Sequence, residues 1–149
     1  MKDDVLNKLA ILCDQAVKLK EDRYAILRDG FWKIVDTYGY AITKDYDYMQ
    51  IDNNSERIIA TTSLNLVEML DYDGKEVTSV AYSNIESLGN GNFIATLDSK
   101  TGSFVGIINK NETIIKPFIY HSIIREEDQL ILSFGAGGQM VKVDLNGKG

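Results

Sequence analysis

Apolar residues recur at spacings of three and four over residues 3 to 20, where Val5, Leu6, Leu9, Leu12, Cys13, Ala16, Val17 and Leu19 form the stripe of a helix with one buried face. Asp3 and Asp4 fall in the first turn of that helix and Lys18 and Lys20 in its last, where each complements the helix dipole. After Glu21-Asp22 the period shortens. Short runs rich in Ile, Val, Phe, Tyr and Thr are broken by Asp-Gly, Asn-Gly or Gly-rich turns, the pattern of antiparallel hairpins.

From residue 24 onward the hairpin pattern repeats about four times, each copy a strand, a turn, a strand closed by Asp or Asn, a Gly turn, and an apolar run ending in Tyr. The turn positions Gly39, Gly74, Glu112 and Gly147 lie 35, 38 and 35 residues apart, a period typical of repeat architectures. Copy one is Tyr24 to Leu27, Phe31 to Val35, then Tyr40 to Tyr48. Copy two is Arg57 to Thr62, Leu66 to Leu70, then Glu76 to Ile85, and copy three is Asn92 to Leu97, Phe104 to Ile108, then Thr113 to Ile124. Copy four has Gln129 to Phe134 and Met140 to Val143 but no third strand.

In the middle strands Trp32 and Ile34, Val67 and Met69, and Val105 and Ile107 hold equivalent alternate positions and give one apolar face, with Lys33, Glu68 and Gly106 on the other. Copy four admits two registers. Anchoring on Asp144 and Gly147 places Met140 and Lys142 on the apolar face, whereas anchoring on Val141 and Val143 shifts the turn by one residue. The expected fold is mainly β: about four repeated antiparallel hairpin or three-stranded units in a repeat or propeller-like array. An amphipathic helix within residues 1 to 22 caps it, and residues 23 to 149 make one β-repeat domain.

The stretch from Val105-Gly106-Ile107-Ile108-Asn109 through Glu112 to Lys116-Pro117-Phe118-Ile119-Tyr120 resembles the WG-repeat family, whose units run Trp-Gly, an apolar pair, Asp, a Gly turn, an apolar run with Pro, then Tyr-Asp. Asp71, Gly74, Val77 and Tyr82 keep the same skeleton; Val105 stands in place of the Trp, and Lys33 follows Trp32 in place of Gly. The resemblance implies a β-repeat architecture and supplies no catalytic residues.

The chain has 149 residues, 44% of them hydrophobic and 26% charged, enough to bury a core without a disulfide or metal. Its net charge of −6 and the lack of a Lys/Arg cluster disfavour direct contact with nucleic acid. Cys13 is the only cysteine, which excludes an internal disulfide and fits a reducing compartment. With no apolar leader and no membrane-length run near the start, the sequence points to the cytoplasm.

Reaction chemistry finds little support. His121 is the only histidine, so a Ser/His/Asp set or an imidazole metal centre would have to be built on it, and Ser83, Ser122 and Ser133 lack a nucleophile-elbow context. Asp71-Tyr72-Asp73-Gly74 resembles part of a calcium loop but has Tyr82 where the closing Glu belongs. Gly135-Ala136-Gly137-Gly138 lacks the Lys-Ser/Thr of a phosphate loop and reads as a turn. No catalytic residue, cofactor or metal site is assigned.

The segment with the strongest binding character holds Tyr38, Tyr40, Tyr46 and Tyr48 beside Asp45, Asp47 and Asp52, with Lys44 as its one base. Tyrosine offers contact area at low entropy cost and carboxylates favour a basic face, so these seven residues are the expected contact site for a protein partner. Tyr46 also aligns with Tyr82 and Tyr120 within one position and has a packing reading. The expected function is a non-catalytic protein-binding module or small protein inhibitor. An acidic mimic of nucleic acid acting on a nucleic-acid-binding enzyme, and an enzyme with a site at a repeat junction, are the alternatives. Self-association through the helix or an open sheet edge is a further option.

Overall fold

A computed structural model describes residues 4–135 and 138–149. Helix α1 (Asp4–Leu12) precedes four small antiparallel sheets arranged in chain order. The first contains β1 (Gln15–Lys20), β2 (Arg23–Arg28) and β3 (Phe31–Val35), and the second β4 (Tyr48–Asp52), β5 (Arg57–Thr61) and β6 (Val67–Asp71). The third contains β7 (Asn84–Ser87), β8 (Asn92–Ser99), β9 (Gly102–Asn109) and β10 (Ile114–Tyr120), and the fourth β11 (Ser122–Glu126), β12 (Gln129–Ser133) and β13 (Met140–Asp144).

The repeat is visible atom by atom at one turn. Asp36 Oδ1 accepts from the backbone N–H groups of Tyr38 and Tyr40, Asp71 Oδ1 from those of Asp73 and Lys75, Asn109 Oδ1 from those of Asn111 and Thr113, and Asp144 Oδ1 from those of Asn146 and Lys148. Each turn closes three residues later on a left-handed residue: Gly39, Gly74, Glu112 or Gly147. A short side-chain acceptor at the first position holds such a turn, and either Asp or Asn serves. The turn fixes the register of copy four on Asp144 and Gly147.

Two features of the sequence reading are corrected. The helix ends at Leu12, and Gln15–Lys20 is the first strand, with Gln15 opposite Leu27 and Lys18 opposite Tyr24. Ala16, Val17 and Leu19 satisfy a two-residue period as well as a helical one, and pairing with β2 decides the matter; Asp22, in the left-handed region, makes the hairpin turn. Lys18 and Lys20 therefore lie on a strand and not in a last helical turn, and Asp3 lies outside the described residues. The second correction concerns the Tyr-ended runs. Each closes one sheet and enters the next: residues 41 to 46 bridge back onto β3 at Val35 and Trp32, whereas Tyr48 begins β4.

Stacking explains why middle strands are buried on both sides. Val35, Leu70, Ile108 and Val143 face backward along the array, and Ile34, Met69 and Ile107 face forward. Three cores result: Ala25 and Ile34 against Ile58, Ala60 and Leu70; Ile59 and Met69 against Phe93, Ala95 and Ile108; Ile94 and Ile107 against Leu130, Leu132 and Val143. The backward face of the first sheet, Tyr24, Ile26 and Val35, is covered by Leu9 with Val5, Leu6 and Cys13. The forward face of the fourth sheet has no neighbour among the described residues, and Met140 and Lys142 are exposed there.

Side chains at the start of the second strand of the first three sheets tie each sheet to the next turn. Arg23 Nε donates to the Asp73 carbonyl at 3.1 Å, Arg57 Nε to that of Lys110 at 2.8 Å, and Asn92 Nδ2 to that of Leu145 at 3.2 Å. Gly106 marks a close approach, because a Cβ there would meet the Lys116 carbonyl at 2.8 Å and the Phe118 ring at 3.0 Å.

Candidate functional site

The seven expected contact residues do not form one patch, because their segment crosses from the outer edge of the first sheet to the leading strand of the second. Tyr38 and Tyr40 stand exposed in the Asp36 turn, beside α1. Asp52 is at the opposite end of β4 from Tyr48 and accepts from Ser55 Oγ at 2.6 Å and Ser87 Oγ at 2.9 Å, a structural tie between the second and third sheets. Asp45 lies 3.9 Å from Lys33 Nζ.

Tyr46 is a core residue. Only 4% exposed, it packs between the first two sheets, pairs through its backbone with Trp32, and donates its hydroxyl to Glu68 Oε2 at 2.8 Å, while Lys44 Nζ reaches Glu68 Oε1 at 3.2 Å. Tyr82 repeats the arrangement, pairing with Val67 and donating to Glu112 Oε2 at 2.8 Å, and Tyr120 pairs with Val105 and packs against Phe134. Burial and the neighbouring carboxylate push the hydroxyls of Tyr46 and Tyr82 above the ordinary tyrosine range. A phenol raised in the folded state stabilises at any pH below its unfolded value of about 10, and that contribution is lost as pH rises beyond it. Thermal melts of the native protein from pH 8 to 11 are expected to fall above pH 10, and Tyr46→Phe, Tyr82→Phe should flatten that fall.

Asp47 and Tyr48 remain as candidates, and the structure adds neighbours to them. They line an open groove of about 710 Å³ between the first and second sheets with Gln15, Val17, Leu27, Gly30, Trp32, Met49, Gln50 and Ile51. Trp32 is half-buried in its wall, and Tyr48 and Val17 are exposed. Among the described residues no side-chain hydrogen bond engages the Trp32 indole N–H, the Asp47 carboxylate, or the amides of Gln15 and Gln50. The groove thus joins aromatic and aliphatic surface to one carboxylate, two amides and one indole donor, all available to a ligand.

The other motifs have local roles. Asp71 holds its turn and Asp73 takes Lys20 Nζ at 2.8 Å, so both carboxylates of the calcium-like fragment are engaged. His121 is exposed between β10 and β11. Gly138 donates its N–H to the Gly135 carbonyl at 3.2 Å, as a turn requires, and Ala136 and Gly137 lie outside the described residues. No three His, Cys, Asp or Glu among the described residues assemble a metal site, and no described helix is long and apolar enough to cross a membrane.

No family model matches the chain, and no curated protein matches it. Solved structures do. It is similar to BamB from Moraxella catarrhalis at 12% identity, covering 86% of this chain and 44% of that one, with a TM-score of 0.43. The C-terminal WD40 domain of Sif2 is similar at 11% identity over 88% of this chain and 42% of that one, TM-score 0.40. The WD40 β-propeller domain of Doa1 is similar at 8% identity over 85% and 51%, TM-score 0.36. The chain spans about half the length of these proteins or less.

Sequence reasoning missed Trp32, Gln15, Val17 and Gln50. The signal available was that Trp32 is the only tryptophan and stands next to a Gly turn on a repeat position that is Val in copies two and three. Gln15 and Val17 are out of reach of the sequence because residues 15 to 20 fit a helical stripe as well as a strand.

Proposed function

We propose that the protein is a binding module whose groove between the first and second sheets takes an extended segment of a partner protein carrying an apolar or aromatic anchor beside a Lys or Arg. The observation that carries this reading is the coincidence of exposed aromatic surface with unused polar groups: Trp32 and Tyr48 offer a stacking and apolar platform, and Asp47 offers a free carboxylate. Two rigid β-sheets position both walls, so little ordering accompanies binding. The net charge of −6 attracts a basic partner at long range.

Trp32, as the only tryptophan, reports on the groove without a label. Titration with a peptide library bearing aromatic-x-Lys/Arg patterns should quench or shift its emission saturably. Tyr48→Ala should weaken the best ligand by roughly tenfold or more, as truncating a central aromatic contact does. Asp47→Asn should weaken it less and reduce its salt dependence. Unaltered emission with every peptide, or equal affinity in the Tyr48→Ala variant, would remove the groove from consideration.

A further inference from the structure

Two asparagines of the chain precede a glycine, Asn90 before Gly91 and Asn146 before Gly147. A glycine in that place leaves its backbone nitrogen unshielded by a Cβ, so the nitrogen can approach the amide carbon of the preceding side chain. The fold treats the two pairs differently. Asn90 is exposed in the turn between β7 and β8, and a Cβ on Gly91 would meet nothing within 4 Å. Gly147 is buried, and a Cβ there would meet Ile115 Cγ2 at 3.0 Å.

Hydrogen bonding separates the pairs further. The Gly147 N–H donates to the Asp144 carbonyl at 2.9 Å and the Lys148 N–H to Asp144 Oδ1 at 2.9 Å, so neither the nitrogen nor the next donor is left for the Asn146 side chain. The Gly91 N–H has no acceptor among the described residues, while the Asn92 N–H donates to Asn90 Oδ1 at 3.0 Å. That bond closes a ring containing both the Asn90 amide carbon and the Gly91 nitrogen, and so folds the side chain back over its own backbone. It also sets a donor on the oxygen that becomes negative when the carbon is attacked. Asn90 and Gly91 line an open cleft of about 370 Å³ with Asn54, Ser55 and Lys110, through which water reaches them.

We infer that Asn90 is a site of spontaneous covalent modification, in which its side-chain amide closes on the Gly91 nitrogen and ends as a carboxylate. Solvent base takes the Gly91 proton, the nitrogen bonds to the amide carbon, and the Cγ–Nδ2 bond breaks as Nδ2 leaves with an added proton as ammonia. Water then opens the cyclic imide. Cleavage of the new bond gives aspartate at position 90, and cleavage of the original peptide bond gives isoaspartate, which carries one more methylene in the main chain. The amide that is lost ties two sheets together: Asn90 Nδ2 donates to the Leu145 carbonyl at 3.0 Å and to Asn146 Oδ1 at 3.4 Å, and Asn92 Nδ2 reaches the same carbonyl at 3.2 Å. A carboxylate at position 90 sets an acceptor against two acceptors, so conversion loosens the junction of the third and fourth sheets.

Prolonged incubation of the full chain at mildly alkaline pH, followed by proteolysis and peptide mass spectrometry, measures both sites in one sample, and the same incubation in concentrated urea supplies the rates without the fold. In urea the two Asn-Gly pairs should convert at similar rates. In the folded chain Asn90 is expected to convert roughly tenfold or more faster than Asn146, since only there are the reacting groups held together. Asn90→Asp, which loses the donor with the backbone unchanged, should lower the melting temperature by roughly 2–4 °C, the shift that one lost hydrogen bond makes in a chain of this length. The inference is overturned by folded-state rates that are equal at the two sites or faster at Asn146, or by an Asn90 that converts in urea and not in the folded chain. An unchanged melting temperature in Asn90→Asp would overturn the loosening of the junction.

Discussion

Tyr46→Ala is expected to lower the free energy of unfolding by about 3–5 kcal/mol, the range for deleting a buried aromatic side chain. The ring sits in the core shared by the first and second sheets, and its hydroxyl is a partner of Glu68, itself only 9% exposed. Removing the ring opens a cavity and leaves that carboxylate with Lys44 alone, which is itself more than half exposed. Tyr46→Phe keeps the packing and loses the bond, and should fall between, at about 1–3 kcal/mol for a hydrogen bond to a charged, buried acceptor. Tyr48→Ala, two residues away and exposed, should alter stability by no more than about 0.5 kcal/mol while weakening the groove's ligand. Urea denaturation of the three variants measures all of this. Equal destabilisation by Tyr46→Ala and Tyr48→Ala would contradict the separation of core from contact surface.

That contrast shows what the sequence could and could not reveal. The Asp, Gly and Tyr positions of the repeat and the alternation in β3, β6 and β9 were legible, because turn chemistry and a period of two act locally. The leading strands β1, β4, β7 and β11 were not. They follow within one or two residues of a Tyr-ended run or a helix, without a Gly to mark the change of sheet. Residues 15 to 20 satisfied a helical stripe equally well, and only pairing with β2, a tertiary fact, separates the two. The candidate site suffered from the same blindness. Four tyrosines within eleven residues appear as one patch in the sequence, yet the chain passes from one sheet to the next among them, so Tyr38, Tyr46 and Tyr48 end at a turn, in a core and in a groove. Trp32 reaches that groove from another strand, which no local pattern discloses.

The second large effect follows from stacking itself. Ile107 is fully buried between the third and fourth sheets with Ile94, Leu130 and Leu132 around it, so Ile107→Ala should cost about 2–5 kcal/mol, and Met69→Ala, in the corresponding place one sheet earlier, a similar amount. Lys142 occupies the same position of the repeat in β13, but its face has no neighbour among the described residues, and Lys142→Ala should change stability by no more than about 0.5 kcal/mol. The most direct measurement is therefore the unfolding free energy of Ile107→Ala and Lys142→Ala, taken side by side in urea. A loss of several kcal/mol for the first and almost none for the second is the predicted result; losses of equal size would contradict an array of sheets stacked in one register, with Ile107 between two of them and Lys142 exposed.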